Sequence, residues 1–332
     1  MAFTLFSGSN RVVNLVLKDH VIRYVELKQL DPPIVHKCGE HFLPAGLIRD
    51  GIITDFDLLK DILSDCVAKW KIHKRQVRFL VPDSRLVIRK VTIPKDIKDD
   101  EITGYLYLEM GTSIHLPFEE PVFDVVPLKE TEEKKEILLF AAEEEVVAEY
   151  ASLLEKCQLY PIEADISPLS LYRLFFHAVK KRDPNDHLLL IEFNLQTVNT
   201  SIFVNDKPIF MKNIPITGTE DEWEPSRVNE DKEVMIFTGD REEYMQLLED
   251  TYTEIDRVLS FYQYSLSHEQ HQVTKIVVTG DHPFFNEVVS IIENRYEQTV
   301  VTIPEGTIQS NKDAELPEPF FLAGGLALKG VR

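Results

Sequence analysis

The chain has few cysteines and no long apolar run. Only 3 of its 332 residues are cysteines, and Cys38, Cys66 and Cys157 lie far apart, which favours a reducing compartment without disulfides. No apolar stretch approaches the ~20 residues that cross a bilayer as a helix. Residues 1–10 lack the basic and apolar segments of a secretory signal. We therefore expect a cytoplasmic protein with no direct membrane insertion.

Basic side chains are also scarce relative to acidic ones. There are 36 Lys and Arg against 56 Asp and Glu, so the formal net charge is −20. Such a chain repels nucleic acid, and we expect no nucleic-acid partner. Residues 220–256 hold 14 of the acids and only 3 basic residues. This acidic segment is predicted to be a solvated face, with a docking surface for a basic partner as the open alternative.

Several motifs of common enzymes are missing. The sequence has no Gly-x4-Gly-Lys-Ser/Thr phosphate loop and no Gly-x-Ser-x-Gly nucleophile turn. His36, Cys38 and His41 are closely spaced metal-ligand types, but a structural zinc site needs four ligands and no second pair follows nearby. The sequence therefore predicts no metal site and offers no catalytic residue.

What is present is the patterning of an α/β protein, with 44 % hydrophobic residues. Residues 12–17 and 21–27 read as a strand hairpin, and residues 187–210 read as a second one that continues into a third strand. Asp55 is a predicted N-cap for a helix over residues 56–70, whose apolar residues recur at helical spacing. Two similar hairpin openings indicate an internal duplication.

The remaining pattern divides the chain into two lobes and an insertion. A strand at 86–93, a helix at 99–112, two more strands and a helix at 143–157 describe a small α+β unit. We predict a long loop at 218–239 and a helix at 242–267. The predicted domains are a first lobe of residues 1–82 and 158–182, an inserted α+β subdomain of residues 83–157, and a second lobe of residues 183–332, with a hinge near residues 181–186.

Five segments in order resemble one known family. They are GLIRDGIITD at 46–55, VIRKVTIP at 87–94 with HLPFEEPVFDVVPL at 115–128, the helix and strand at 137–166, DRVLSFYQYSL at 256–266 and FFLAGGLALKG at 320–330. Together they resemble the type IV pilus assembly protein PilM, a relative of the cell-division protein FtsA among the actin-like ATPases. The resemblance covers nearly the whole chain. It implies a two-lobed actin-like (ribonuclease H-like) fold with the inserted subdomain in the first lobe.

The resemblance also locates the family's nucleotide pocket, and this chain departs from its pattern there. Where nucleotide-binding members carry Asp-x-Gly in the first turn, this chain has Val16 and Lys18, and in the second turn it has Glu192 and Asn194. The adenosine loop usually has two glycines, whereas here it is Gly280 followed by Asp281. Valine cannot hold a Mg²⁺-bound water, and a Cβ blocks the backbone approach that glycine allows. We therefore expect a pseudo-ATPase without a cofactor.

The function that the resemblance implies is assembly. We expect a scaffold of a type IV pilus, competence or secretion-type machine, held at the inner face of the cell membrane by the cytoplasmic tail of a PilN-like bitopic protein, with possible self-association. In the family this tail lies between the first lobe and the insertion, and the candidate groove residues here are Tyr105, Leu108, Ile114 and Phe118. The alternative is an active ATPase with a remodelled pocket, in which Glu192 replaces the aspartate and Lys18 binds phosphate. A phosphotransferase of the same superfamily would need a general base and an acceptor site, for which the sequence has no motif.

Overall fold

The computed structural model describes residues 11–179, 183, 185–229, 232–310 and 315–330. Its strands are β1 (Val13–Lys18), β2 (Val21–Leu30), β3 (Pro33–Phe42), β4 (Ile48–Arg49), β5 (Ile52–Ile53), β6 (Gln76–Leu80), β7 (Leu86–Pro94), β8 (Pro121–Glu130), β9 (Lys134–Glu143), β10 (Tyr160–Asp165), β11 (His187–Phe193), β12 (Thr197–Val204), β13 (Lys207–Pro215), β14 (Trp223–Asn229), β15 (Lys232–Phe237), β16 (Lys275–Gly280), β17 (Thr299–Thr302) and β18 (Gln309–Ser310). Its helices are α1 (Phe56–Trp70), α2 (Ile102–Glu109), α3 (Glu144–Lys156), α4 (Ser167–Val179), α5 (Arg241–Phe261), α6 (Phe285–Arg295) and α7 (Phe321–Ala327). Part of the predicted hinge, residues 181, 182 and 184, lies outside the described residues.

Two sheets with the same topology form the two lobes. The first sheet has the order β10-β6-β1-β2-β3-β18, and the second has the order β13-β12-β11-β16-β17. In the first sheet β1, β2 and β3 pair antiparallel, β6 pairs parallel with β1, and β10 pairs parallel with β6. In the second sheet β11, β12 and β13 pair antiparallel, β16 pairs parallel with β11, and β17 pairs parallel with β16. The predicted duplication is therefore a repeat of one five-strand unit.

Local sequence chemistry sets the ends of the elements. The Asp55 side chain accepts a hydrogen bond of 3.0 Å from the backbone N–H of Leu58, which caps α1, and Lys71 ends the helix in the left-handed conformation. The turn between β12 and β13 consists of Asn205 and Asp206, both with positive φ, as a two-residue hairpin turn requires. Strand β11 is buried along its whole length because both of its faces enter a core, Leu188 and Leu190 on one side and Leu189 and Ile191 on the other, which explains its apolar run.

The insertion is a three-stranded sheet in the order β7-β9-β8, with α2 on one face. The core under α2 contains Ile93, Ile102, Leu106, Ile114, Ile137, Leu139 and Ala141. Helix α2 is shorter than the predicted 99–112, since Met110 is already extended and Gly111 has a φ of +81°. The opposite face of the sheet packs against the start of α4 and against β13. Ile88 and Leu138 form a cluster there with Ile166, which precedes α4, Leu169 of α4 and Met211 of β13.

Packing places two elements outside the predicted domain boundaries. Helix α3, which falls within the predicted insertion of residues 83–157, buries Val146, Tyr150 and Leu153 in the core of the first lobe. Helix α7, which falls within the predicted second lobe, packs on α4, β1 and β2, and β18 pairs with β3. Both differences have the same cause: a helix packs where its apolar face is buried, whatever its position in the chain.

Residues 218–239 were predicted to be a long loop, and this prediction is wrong. The structure has a hairpin there, formed by β14 and β15. The rings of Trp223 and Phe237 lie 4.8 Å apart on its inner face, and Trp223 also contacts Tyr244 of α5. The many acids and Pro225 conceal the alternation in the sequence. Proline is tolerated here because each strand of a two-stranded sheet is an edge strand.

Candidate functional site

The two hairpin turns predicted to face a nucleotide instead face each other. Lys18, at the end of β1, donates hydrogen bonds from Nζ to Oε1 of Glu192 and, at 2.6 Å, to Oδ1 of Asn194. Glu192 is 2 % exposed and Lys18 15 % exposed, so this ion pair between the lobes is largely removed from water. The ammonium group therefore lies between the turns, where the resemblance places phosphate and metal.

A second carboxylate joins this network. The Asn199 amide nitrogen donates to Oε2 of Glu192 at 3.1 Å and to Oδ2 of Asp83 at 2.7 Å, and the Ser167 hydroxyl donates to Asp83 at 3.0 Å. Burial and the nearby charge of Glu192 raise the pKa of Asp83 to about 7, against the opposing effect of Lys18. Because the charge of Glu192 already disfavours ionisation of Asp83, a further negative charge bound at this site would be repelled.

Asp281 makes a second ionic link between the lobes. Its Oδ2 atom accepts from Arg23 Nη1 and lies 3.0 Å from Nε2 of His20, both in the first lobe. Arg23 is also held by Glu40, whose Oε2 accepts from Nε at 2.9 Å. Burial alone would raise the pKa of Asp281, but His20 and Arg23 hold it well below its usual range. The residue that would repel a nucleotide is therefore an ionised partner of two first-lobe side chains.

The other two predicted pocket positions have structural roles. Val16 is 3 % exposed and packs in the core that the two lobes share. Gly280 has a φ of +147°, and a Cβ there would lie 1.8 Å from the carbonyl oxygen of Phe193. The one glycine that survives from the nucleotide pattern is thus required by backbone packing, with or without a ligand.

Little space is left between the lobes. The cavity lined by Lys18, Asp19 and Asp83 has a volume of about 50 Å³. The cavity on the other side of Lys18, lined by Gly280 and Asp281, has a volume of about 10 Å³. Small-molecule sites usually measure roughly 300–1,000 Å³. In this closed arrangement the cleft has room for a few waters.

A larger concave surface lies where the insertion meets the first lobe. This groove has a volume of about 590 Å³, and its lining is Tyr107, Met110, Gly111, Ile114, His115, Leu116, Pro117, Phe118, Glu119, Glu120, Pro121 and Glu144. A backbone hydrogen bond of 3.0 Å from Glu144 N–H to the Glu120 carbonyl ties the groove to the start of α3. The groove therefore has an apolar floor beside an acidic edge.

The four residues predicted for a partner groove have different environments. Ile114 and Phe118 line the groove, Ile114 as a buried core residue and Phe118 as a half-buried one. Tyr105 packs against the insertion core and does not line the groove. Leu108 is 78 % exposed on the outer side of α2. Sequence reasoning did not single out Tyr107, whose ring lies 4.8 Å from that of Phe123.

Sequence reasoning also missed the partners of the interlobe contacts. His20, Arg23 and Asn199 lie within a few residues of the predicted turns and Asp83 follows β6, but no local motif marks them as contacts over such sequence distances. Among the described residues, no cluster of three or more His, Cys, Asp or Glu side chains is arranged to hold a metal ion. No helix in the described part of the chain is long and apolar enough to cross a membrane.

Two solved structures share this architecture. The PilM–PilN type IV pilus biogenesis complex contains a chain of 19 % sequence identity, with a TM-score of 0.76 over 97 % of this chain and 98 % of that one. The ethanolamine utilization protein EutJ from Carboxydothermus hydrogenoformans is 10 % identical, with a TM-score of 0.51 over 96 % of this chain and 89 % of that one. These likenesses confirm the predicted actin-like fold. No curated protein sequence matches the chain significantly.

A family model agrees with the structural comparison. The model for "Type IV pilus assembly protein PilM" matches residues 17–228, which is well over half of the chain. The match begins in the first hairpin and extends through the insertion into the second lobe. The chain therefore belongs to the PilM family of type IV pilus assembly proteins.

Proposed function

We propose that this protein is a non-catalytic, actin-like scaffold of a type IV pilus or competence-type machine. It binds the short cytoplasmic tail of a PilN-like membrane protein and so resides at the cytoplasmic face of the membrane. Membership of the PilM family and the likeness to a chain in a PilM–PilN complex support this role. The fold alone carries no activity, so the chemistry has to be argued from the cleft and the groove.

The observation that carries the non-catalytic assignment is the ion pair of Lys18 with Glu192. The ammonium group of Lys18 lies between the two turns, where the resemblance places the metal ion and the phosphate of a nucleotide. A triphosphate would have to displace it and would then meet Glu192 and Asp281, whose side chains are 2 % and 4 % exposed, and the half-buried Asp83. Repulsion in such a weakly screened site is strong. The small volume of the cleft supports the same conclusion.

Calorimetric titration with ATP and Mg²⁺, with ADP as a control, tests this assignment. We expect no saturating heat from folded protein. The opposite result would support the remodelled ATPase, in which Lys18 binds phosphate and Glu192 acts for the missing aspartate. In that case Lys18→Ala and Glu192→Ala would each weaken the binding heat, and hydrolysis would then be measured.

The groove at the insertion is the proposed binding site for the tail. Met110, Leu116 and Phe118 offer apolar contacts, and Glu119, Glu120 and Glu144 line the edge. A peptide with branched apolar anchors and at least one basic residue complements this surface. The acidic edge thus predicts a tail that carries a positive charge next to its apolar anchors.

Peptide binding tests the groove. Fluorescent peptides with the sequences of the cytoplasmic tails of bitopic membrane proteins from the same gene neighbourhood are titrated with the protein, and binding is followed by anisotropy. We expect one tail to bind and Phe118→Ala to weaken it about tenfold or more, as for a central apolar anchor. The matched control is Ile162→Ala, which removes a side chain that is 46 % exposed on β10. Equal losses in both variants, or no binding by any tail, would contradict the proposal.

A further inference from the structure

Three polar links join the lobes across the closed cleft. We call them the clamp: Lys18 with Glu192 and Asn194, Asp83 with Asn199, and Asp281 with His20 and Arg23. In each link one partner lies in the second lobe, and the other lies in the first lobe or, for Asp83, at the junction between β6 of the first lobe and β7 of the insertion. Asp281 receives both of its cationic partners from the first lobe. Opening the cleft would therefore separate all three links together.

The insertion is attached to both lobes. Its strand β9 leads directly into α3, which is part of the first-lobe core. Toward the second lobe, Lys207 donates a hydrogen bond of 2.8 Å from Nζ to the carbonyl oxygen of Pro127. Met211 of β13 packs with Ile88 and Leu138 of the insertion. A rotation of the second lobe would therefore act on the sheet that carries the groove.

We infer that the clamp takes the place of a nucleotide as the element that holds the lobes closed, and that it thereby fixes the shape of the groove. In this arrangement the affinity of the groove for its partner depends on the clamp and not on a bound ligand. This inference rests on the proposed function for the identity of the partner. The mechanical part, closure of the cleft and order in the insertion, is independent of it.

The clamp can define the closed arrangement because hydrogen bonds are directional, whereas apolar contacts are not. The charge-assisted hydrogen bonds within these links weaken steeply away from their preferred distance and angle, so a cleft closed by several of them has one well-defined arrangement. The apolar core that the lobes share tolerates sliding more readily, because its contacts are not directional. Polar links therefore define the closed state, while the shared core gives it strength.

Distance measurement between spin labels tests the closure. Labels are placed at Asp57→Cys on α1 and Glu293→Cys on α6, both exposed, in a chain with Cys38→Ser. One link of the clamp is removed in each of two variants: Lys18→Met combined with Glu192→Gln, which removes both charges of that ion pair, and Asp281→Asn, which keeps an acceptor. We expect a single distance in the parent protein and a broader, shifted distribution in both variants. The control is Lys212→Met, because Lys212 pairs with Glu254 within the second lobe.

Hydrogen exchange on the same proteins tests the link to the groove. We expect faster exchange at residues 110–121 in both clamp variants and an unchanged rate in the Lys212→Met control. Tail affinity should fall at least about fivefold, the low end of typical coupling between sites. Unchanged distances in both variants, or wider distances with unchanged exchange at 110–121, would overturn the inference. If the cleft opens in the clamp variants but the parent protein binds no tail, the inference about the clamp is supported and the proposed function is contradicted.

Discussion

Lys18 and Asn194 are joined across the cleft by a hydrogen bond of 2.6 Å between Nζ and Oδ1, although 176 positions separate them in the chain. Lys18 ends the first strand of its lobe and Asn194 directly follows the first strand of the other lobe, so the duplicated topology brings them together. The same ammonium group contacts Glu192. The two turns that the resemblance predicts to face a nucleotide thus bind one another in this chain.

Removing the ammonium group alone should strongly destabilise the fold. Lys18→Met leaves Glu192 buried without its cation, and breaking a buried pair in this way costs about 3–5 kcal/mol. The free energy of unfolding from urea denaturation measures the loss. The double variant Lys18→Met/Glu192→Gln should recover most of it, since no charge is then stranded. Equal stability of the single and double variants would show that the pair lies in water and carries little energy.

The contribution of Asp83 to stability should fall as the pH rises from about 4 to about 7. Burial and the charge of Glu192 raise the pKa of Asp83 to about 7 in the folded protein, above its ordinary value of 3.8. The folded state then binds a proton that the unfolded state releases, so this contribution is complete below pH 4 and is lost on passing pH 7. Asp83→Asn, which mimics the protonated form, should flatten the dependence of the melting temperature on pH.

Other groups modify this profile in known directions. Burial is also the main cause that raises the pKa of Asp19 to about 6 and of Glu318 to about 7, so the Asp83→Asn variant keeps part of the slope. Asp281 acts in the opposite sense, because its pKa is depressed and its stabilisation is lost only at lower pH. Parallel profiles for the parent and Asp83→Asn between pH 4.5 and 8 would refute the assignment of Asp83.

Much of the fold could be predicted because local chemistry determines it. The helix over residues 56–70 is confirmed, since its cap and apolar stripe lie within the segment itself. The two hairpins are confirmed for the same reason, and the turn at Asn205 and Asp206 is a strong short-range signal. The boundary at residue 157 differs from the packing because the partner of α3 lies in another part of the chain.

The site could be predicted only in part. The chain's departures at Val16, Lys18, Glu192 and Asp281 are visible in the sequence, but the contacts that those side chains make instead are not. Asp83 and Asn199 come together over 116 positions, and no spacing rule anticipates such a pair. The hairpin at 223–237 was missed because its acids obscure a period that Trp223 and Phe237 establish through tertiary contacts.

A close helix crossing should make Gly325 intolerant of any side chain. A Cβ at this position of α7 would lie 2.0 Å from the carbonyl oxygen of Ser170 on α4, and backbone atoms cannot move aside as a side chain can. Gly325→Ala should lower the free energy of unfolding by about 3 kcal/mol, the upper part of the usual range for overpacking. Chemical denaturation measures it.

The neighbouring glycine is the matched control for that change. A Cβ at Gly324 would meet only the ends of the Leu316 and Ile308 side chains, at 2.8 and 3.0 Å. These can shift, and alanine gains roughly 1 kcal/mol over glycine in a helix. Gly324→Ala should therefore stay within about 1 kcal/mol of the parent. Similar losses for both variants would mean that the crossing of α4 and α7 is looser than 2.0 Å implies.

The acidic edge of the groove should make tail binding dependent on salt. Glu119 and Glu120 are exposed, so each contributes modestly to the attraction of a basic peptide, and salt screens that attraction. The double variant Glu119→Gln/Glu120→Gln should weaken binding about fivefold at low salt. It should also reduce the change in affinity between 50 and 500 mM salt, a range chosen to span strong screening. Because the apolar anchors are intact, affinity at high salt should match that of the parent. The control is Glu132→Gln/Glu133→Gln, an equal change of charge at the far end of β8 and β9, which should leave both affinities unchanged. An equal effect of the two double variants would show that the tail responds to the net charge of the chain and not to the edge of this groove.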